Sequence, residues 1–220
     1  LNGSIDTKEI FSTKAAFAAL RSDGSVVTWG DDSTGGDSQS VVSHLNGSNG
    51  VIKIASNMSA FAAIHTDGSV TTWGFSSFGG DSSPVSTQLD GSVNVAEISS
   101  TGSAFAALRE DGSVITWGNQ LDGGDSSTVS TRINGDIDVT SIHSTTAAFA
   151  VIRTDGSVVT WGDINNGGDS SAISSAINGT INITSITATD SAFAALRSDG
   201  SVITWGNSDF GGDSSGVIDS

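Results

Sequence analysis

The chain has 220 residues, no cysteine and a net charge of −16, from 24 acidic and 8 basic side chains. The absence of cysteine excludes disulfides and thiolate metal sites. The scarcity of Lys and Arg argues against nucleic acid and anionic membrane surfaces as partners, and no apolar stretch approaches the length of a transmembrane helix.

The dipeptide Trp-Gly recurs five times at intervals of 44 residues, so the chain is five copies of one unit without insertion or deletion. This period predicts a propeller, a solenoid or another array in which each unit buries its apolar face against its neighbours. Residues 1–220 therefore form a single repeat domain, with units at 1–44, 45–88, 89–132, 133–176 and 177–220. The tryptophans are interpreted as structural residues packed between units: Trp29, Trp73, Trp117, Trp161 and Trp205.

Within the third unit, four β-like runs follow one another, at residues 93–99, 104–109, 113–117 and 126–131. The first run alternates loosely, the second is apolar around Phe105, the third ends in Trp117, and the fourth is short and polar. Asp111-Gly112 joins the second and third runs and predicts a type I′ hairpin turn. Helical periodicity is absent, so each unit is predicted to be a four-stranded antiparallel meander.

Four-stranded units repeated radially are the blades of a β-propeller, whereas an open β-solenoid needs polar capping repeats at its ends. The first and last units are as apolar as the middle ones, as residues 16–20 and 192–196 illustrate. The sequence therefore favours an all-β propeller of five four-stranded antiparallel blades. An open β-solenoid and a fragment of a larger propeller are the alternatives.

The second unit carries a signature that runs from Val51-x-x-Ile54-x-Ser56 through residues 60–64 and 67–70 to Trp73-Gly74 and a glycine pair at 79–80. It resembles the repeat of the regulator-of-chromosome-condensation family, in a shortened bacterial-type form of 44 residues. The resemblance covers all five units and implies a β-propeller, although the family's unit is usually longer and its ring usually has seven blades. The family includes a nucleotide-exchange factor that docks on chromatin. The acidity of this chain argues against that activity, so the resemblance implies only the fold.

The tetrapeptide Gly-Gly-Asp-Ser occurs in all five units, first at residues 35–38. The carboxylates could bind Ca²⁺ or sugar hydroxyls, but Ca²⁺ takes about six to eight oxygen ligands, and no EF-hand or RTX spacing is present. The favoured interpretation is an Asx-type turn in which the carboxylate accepts backbone N–H groups. The weak calcium candidates are Asp37, Asp81, Asp125, Asp169 and Asp213.

The units differ most in the loop that follows each Trp-Gly. Loops on a rigid scaffold usually carry binding specificity. Apolar residues stand out in these polar loops, and they are interpreted either as exposed contacts or as side chains that reach a neighbouring blade. These ligand-contact candidates are Phe75, Phe78, Leu121, Ile164 and Phe210.

No hydrolase, zinc-protease or phosphate-binding motif occurs, and the three histidines fall at different repeat positions. The sequence therefore predicts no enzyme, catalytic residue, cofactor or metal site. We interpret it as a non-catalytic repetitive binding or spacer module from a bacterial surface or secreted protein, located outside the cell or on its surface. The alternative is a multivalent carbohydrate-binding lectin with one weak site per blade. The expected partner is a protein or a glycan, and blade sharing would produce an oligomer.

Overall fold

The computed structural model describes residues 5–217, and the strands in that range form five three-stranded antiparallel sheets, one per repeat. Within each sheet the strands lie side by side in chain order. The strands are β1 Thr7–Ser12, β2 Ala16–Arg21, β3 Val26–Gly30, β4 Val51–Ser56, β5 Ala60–His65, β6 Val70–Gly74, β7 Val95–Ser100, β8 Ala104–Arg109, β9 Val114–Gly118, β10 Val139–Ser144, β11 Ala148–Arg153, β12 Val158–Gly162, β13 Ile183–Ala188, β14 Ala192–Arg197 and β15 Val202–Gly206. The predicted all-β repeat fold with antiparallel sheets is confirmed.

The hairpin between β8 and β9 shows how Asp-Gly closes each sheet. Gly112 N–H donates to the Arg109 carbonyl at 3.0 Å, and Arg109 N–H donates to the Ser113 carbonyl at 2.9 Å. Gly112 has a φ of 75°, but no residue other than glycine has a positive φ within residues 5–217. A type I′ turn needs positive φ at both central residues, so that prediction is wrong. Glu110 lengthens the loop, and the left-handed glycine follows the turn as a bulge.

The fourth run, expected as a strand at residues 126–131, forms a 3-10 helical segment instead, Ser127–Arg132. Asp125 accepts the N–H of Ser127 at 2.8 Å, and the next turn closes through Val129 N–H and the Ser126 carbonyl at 3.0 Å. Short polar side chains compete for backbone groups and favour tight turns over a strand ladder. Three-stranded blades therefore replace the predicted four-stranded ones. The 3-10 segments are Asp32–Thr34, Gln39–Val41, Ser76–Phe78, Ser83–Gln88, Ser127–Arg132, Ile164–Asn166, Ser171–Ile173 and Ser208–Phe210, and a wider turn spans Gln120–Gly124.

The core lies between consecutive sheets rather than within one of them. Four clusters of buried apolar side chains join the first unit to the second, the second to the third, the third to the fourth and the fourth to the fifth. Between the second and third units, for example, Ala62 and Ile64 of β5 pack with Phe105 and Trp117 of the next sheet. Each unit is therefore stabilised by its neighbours, as expected for a repeat array.

The tryptophan closes each junction with a hydrogen bond as well as apolar contact. The indole N–H of Trp117 donates to the Gly79 carbonyl of the preceding unit at 3.0 Å. The ring of Phe105 covers the same glycine, since a Cβ there would lie 2.6 Å from the ring, and it stacks on Trp117 with 5.3 Å between ring centroids. The same hydrogen bond recurs for Trp73, Trp161 and Trp205.

Polar contacts between the first strands repeat the same register from unit to unit. The hydroxyl of Ser100 donates to the Ser56 carbonyl at 2.8 Å, and Ser144 does the same to Ser100. Both pairs are 44 residues apart, so the first strands of successive units lie next to each other. Each sheet thus stands in the same relation to the one before it.

Closure of the array into a ring is not shown. In the first unit Phe17 is 44% exposed and Trp29 is 37% exposed. In the last unit Leu196 is 43% exposed and Val202 is 54% exposed. The counterparts of these residues are buried at the junctions inside the array, except for the half-buried Val70, so the ring predicted from the sequence stays a prediction.

Candidate binding surfaces

The five Gly-Gly-Asp-Ser aspartates all make the same local hydrogen bond. Each accepts, through Oδ1, the backbone N–H two residues later at 2.8–2.9 Å, which is the geometry of an Asx turn. Only the first glycine of each pair has a positive φ, as Gly123 does at 100°. The second is required by close approach, because a Cβ on Gly124 would lie 2.5 Å from the Gly118 carbonyl oxygen.

The same hydrogen bonds make four of these carboxyl groups more acidic. The backbone N–H of Ser127 stabilises the charged form of Asp125 and lowers its pKa below the ordinary value. The pKa values of Asp81, Asp169 and Asp213 are lowered in the same way, by the serine two residues later. Within residues 5–217, no group of three or more His, Asp or Glu side chains is placed to hold a metal ion. The hydrogen bonds observed for each carboxylate lie within its own turn.

The aspartates of the Asp-Gly hairpins also accept hydrogen bonds, as Asp67 shows. Asp67 accepts a hydrogen bond from the Asn49 amide at 2.8 Å and another from Ser69 N–H at 3.0 Å. Asn49 and Ser69 together lower the pKa of Asp67 to about 2. This carboxylate is fully charged at neutral pH and fixes the hairpin to the loop at the start of its own unit.

In the third, fourth and fifth units the arginine before Asp-Gly forms an ion pair within its own hairpin. Arg109 and Asp111 approach to 3.0 Å, and Arg153 and Asp155 approach to 3.3 Å. His65 takes this position in the second unit, where its ring is buried and bonded at both nitrogens. Because these ion pairs lie within one hairpin, we interpret the arginines as structural residues.

The loops after each third strand present apolar side chains to solvent. Leu121 is 78% exposed, Ile164 is 68%, Phe210 is 47% and Phe75 is 45%. Phe78 is half-buried, and its ring contacts Phe75 edge to face with 5.3 Å between centroids. The structure therefore places four of the five loop candidates at the surface, at corresponding loops of successive units.

Local hydrogen bonds fix the conformation of these loops. The side chain of Asn119 accepts the N–H of Leu121 at 3.0 Å. Asp163 accepts the N–H of Asn165 at 2.8 Å. The first-unit loop carries Asp32 at the repeat position of Ile164 and presents no apolar side chain there. The apolar side chains therefore project from ordered turns, a feature of binding loops on rigid scaffolds.

A second surface, not apparent in the sequence, is a cleft beside the third strand of the sheet. Equivalent clefts of about 490, 470 and 580 Å³ lie in the second, third and fourth units. The cleft of the third unit is lined by Arg109, Asp125, Ser126 and Ser130 among others. Its lining residues come from three consecutive units and include the 3-10 segment that replaces the fourth strand, so no single stretch of sequence indicates it.

One side chain from the preceding unit differs between these clefts. His44 lines the cleft of the second unit, Gln88 that of the third and Arg132 that of the fourth. Arg132 donates to the Val158 carbonyl at 3.2 Å, and burial lowers the pKa of its guanidinium. The three clefts thus share a frame, and the side chain at this position differs in each of them. None of the helical segments in the described part of the chain is long and apolar enough to span a membrane.

A family model described as the regulator of chromosome condensation (RCC1) repeat matches residues 183–211. No curated protein sequence matches the chain. Among solved structures, human WBSCR16 is 20% identical with a TM-score of 0.56, and the match covers 91% of this chain and 61% of that one. Prp20p from Saccharomyces cerevisiae is 16% identical with a TM-score of 0.55, covering 90% of this chain and 56% of that one.

The ectodomain of the Physcomitrella patens receptor kinase CR4 has the same fold. It is 15% identical with a TM-score of 0.53, and the match covers 93% of this chain and 51% of the other. The chain therefore spans between about half and two thirds of the length of these structures. At these identities the likeness describes the architecture alone.

Proposed function

We propose that this chain, an array of RCC1-like repeats with a propeller-type fold, is a non-catalytic binding scaffold. The observation that carries the proposal is the row of exposed apolar side chains on fixed loops, at Phe75, Leu121, Ile164 and Phe210. Exposed apolar groups in corresponding loops of successive units form a surface that an extended partner can contact at several points. We call these four residues the loop row.

Charge indicates the chemistry of the partner. The chain carries a net charge of −16, and Asp31, Asp122, Asp163 and Asp209 lie in the same loops as the loop row or in its first-unit counterpart. A protein segment with apolar side chains and flanking Lys or Arg fits this surface, because complementary charge steers association and suppresses wrong partners. We further propose an extracellular or cell-surface location. The CR4 structure, a receptor ectodomain, shows that this fold occurs there.

Selection of short random peptides on the full chain tests the proposal. We expect enriched peptides to combine apolar and basic residues, and to lose about tenfold or more in affinity when the loop row is changed to serine. The matched control changes Ile52 and Met58, which are 59% and 51% exposed on another surface, to serine. Equal binding to both variants, or no enrichment at all, would contradict the proposal.

A sugar-binding function is the second candidate, supported by the clefts. Their lining combines a charged pair, Arg109 and Asp111, with the hydroxyls of Ser126 and Ser130, and such groups can recognise polyhydroxylated ligands. A glycan array separates the two candidates. Silence across the array favours the scaffold, whereas binding of one class of sugars that survives the loop-row change and is lost in Ser130→Ala favours the clefts.

A further inference from the structure

Three units open with the dipeptide Asn-Gly in the same kind of turn. These turns begin at Asn46, Asn134 and Asn178. Each asparagine forms a backbone bridge with the serine that follows the preceding Asp-Gly, as Asn134 does with Ser113. Each side chain accepts, through Oδ1, the N–H two residues later, at 2.9, 3.1 and 2.9 Å in chain order. We call these three the Asn-Gly turns, and their common frame allows direct comparison.

Asn-Gly is a reactive dipeptide, because glycine has no side chain to shield its backbone nitrogen. That nitrogen loses its proton and attacks the asparagine Cγ, and the new C–N bond closes a succinimide ring. The bond between Cγ and Nδ2 breaks, and Nδ2 leaves as ammonia with the proton. Water then opens the ring at either carbonyl, which gives aspartate or isoaspartate and adds a negative charge.

The attacking nitrogen is available in all three Asn-Gly turns. The N–H groups of Gly47, Gly135 and Gly179 donate no backbone hydrogen bond within the described part of the chain, so no acceptor has to be given up before attack. The asparagine side chains are exposed, and water can therefore reach the ring after it closes. Neither the nucleophile nor access to water separates the three turns.

The leaving group does separate them, and in Asn134 it is held. Nδ2 of Asn134 donates to the Asp136 carboxylate at 2.8 Å. A hydrogen bond to a charged acceptor is stronger than one to a neutral acceptor, and it increases electron donation from Nδ2 into the carbonyl, which makes Cγ less electrophilic. The negative charge of Asp136 also opposes loss of the proton from the Gly135 nitrogen. Both effects slow the reaction at Asn134.

The other two Asn-Gly turns lack this carboxylate. Ser48 and Thr180 occupy the position of Asp136. Within residues 5–217, the side chains of Asn46 and Asn178 make only the hydrogen bond through Oδ1, and Nδ2 has no partner. The same Oδ1 bond without the competing Nδ2 bond leaves Cγ more electrophilic and the leaving group free.

Two further Asn-Gly pairs in the described residues resemble Asn134. Nδ2 of Asn49 donates to the Asp67 carboxylate at 2.8 Å, and Nδ2 of Asn166 donates to the Asp163 carboxylate at 2.8 Å. Each of these amides is therefore held by a negative charge. We call Asn49, Asn134 and Asn166 the protected asparagines.

We propose that Asn46 and Asn178 deamidate spontaneously in the folded chain, while the protected asparagines do not react on the same timescale. The reaction needs only water, and it uses neither the loop row nor a ligand in the clefts. The inference therefore stands independently of the proposed function.

The third unit already contains an aspartate in this turn. Oδ1 of Asp90 accepts the N–H of Ser92 at 2.8 Å, and the hydrogen bonds from Ser92 lower the pKa of this carboxyl group. Asp90 lines the cleft of the second unit, and Asn178 lines that of the fourth, together with Arg132. Deamidation of Asn178 to aspartate therefore gives the fourth-unit cleft a carboxylate at a position where the second-unit cleft has one.

Incubation of the folded full chain at mildly alkaline pH, followed by peptide mass spectrometry, tests the inference. Asn46 and Asn178 should lose ammonia about tenfold or more faster than the protected asparagines. Isoaspartate should appear at the same two sites, where enzymatic methylation detects it. In the chain unfolded by urea, all five sites should react at similar rates, because the hydrogen bonds to the carboxylates are lost.

Several results would overturn the inference. One is loss of ammonia from Asn134 as fast as from Asn46 and Asn178 in the folded chain. Another is a folded chain in which Asn46 and Asn178 stay intact while the unfolded chain reacts completely, because the turns would then protect every site. A difference of the same size in the unfolded chain would also contradict it, since the sequence alone would then set the rates.

A reciprocal exchange of the carboxylate makes the test specific. Asp136→Ser removes the carboxylate from the Asn134 turn, and Ser48→Asp supplies one to the Asn46 turn. Both positions are exposed, so folding is retained. The first variant should raise the rate at Asn134 to that of Asn178, and the second should slow Asn46 about tenfold. Asn178 should keep its rate in both variants and is the internal control. If neither exchange changes the rate at its own turn, the hydrogen bond to Nδ2 does not control the reaction, and the inference is wrong.

Discussion

Phe and Trp at fixed positions in each repeat have different surroundings depending on where the repeat lies. Trp117 is 4% exposed and donates its indole N–H to Gly79, whereas Trp29, at the same repeat position, is 37% exposed. The two side chains have the same partner in their own sheet, a phenylalanine whose ring is stacked at 5.3 Å. The difference between them isolates what the preceding unit contributes.

Substitution of these two tryptophans measures that contribution. Trp117→Ala should lower the free energy of unfolding by about 3–5 kcal/mol, the usual range for deleting a large buried aromatic side chain. Trp29→Ala should cost about 1 kcal/mol, since much of the side chain already contacts water. Denaturant unfolding of the monomeric chain gives both values. Equal losses would mean that the tryptophan stabilises its own sheet rather than the junction.

At the scale of the elements, the sequence predicts the strands and hairpins, because these depend on residues close together in the chain. The apolar runs around Phe105 and Trp117 predict adjacent strands, which the structure has at β8 and β9, and Asp111-Gly112 predicts the hairpin between them. The turn type was wrong because Glu110 adds a loop residue, and the fourth strand was wrong because Asp125 starts a helical turn instead. The first error is one of loop length, and the second comes from a side-chain hydrogen bond that a hydrophobic pattern does not contain.

The candidate sites likewise divide into loop residues that the sequence indicates and clefts that only the packing of units creates. The sequence left Leu121 and Ile164 either as exposed contacts or as side chains that reach a neighbouring blade, and the structure places both among the most exposed apolar residues described. The clefts beside the third strands went unnoticed, because Gln88 and Ser130 are brought together only by the packing of two units.

The first glycine of each Gly-Gly pair has a positive φ. Two of these glycines have similar φ values but different surroundings, so they can be compared directly. Gly123 and Gly211 have φ values of 100° and 96°, so alanine is similarly strained at both. A Cβ on Gly123 would lie 2.6 Å from the Phe149 ring, but one on Gly211 would meet nothing within 4 Å. Gly123→Ala should therefore be less stable than Gly211→Ala by about 1–3 kcal/mol, the usual cost of overpacking.

Thermal or denaturant unfolding of the two glycine variants checks this prediction. Their far-ultraviolet spectra should match that of the parent, which shows that the sheets form in both. If the two variants lost the same stability, the backbone conformation alone would explain the glycine, and the junction would tolerate a methyl group beside the phenylalanine.

On the scale of the whole molecule, stability in an array of this kind is the sum of terms from each unit and from each junction. The three middle units have a neighbour on both sides, while the first and the last have one. A unit with one junction opens at a lower free energy than a unit with two, because opening it exposes a single cluster of apolar side chains. The array should therefore fray from its ends inward.

Hydrogen exchange along the second strands tests this order directly, since these strands are central in their sheets. The amides of Ala106 and Val151 in the middle units should exchange at least about tenfold more slowly than those of Ala18 and Ala194 in the first and last units. Uniform exchange in all five units would instead mean that the chain opens as one cooperative body, and that the four junctions are too strong to separate.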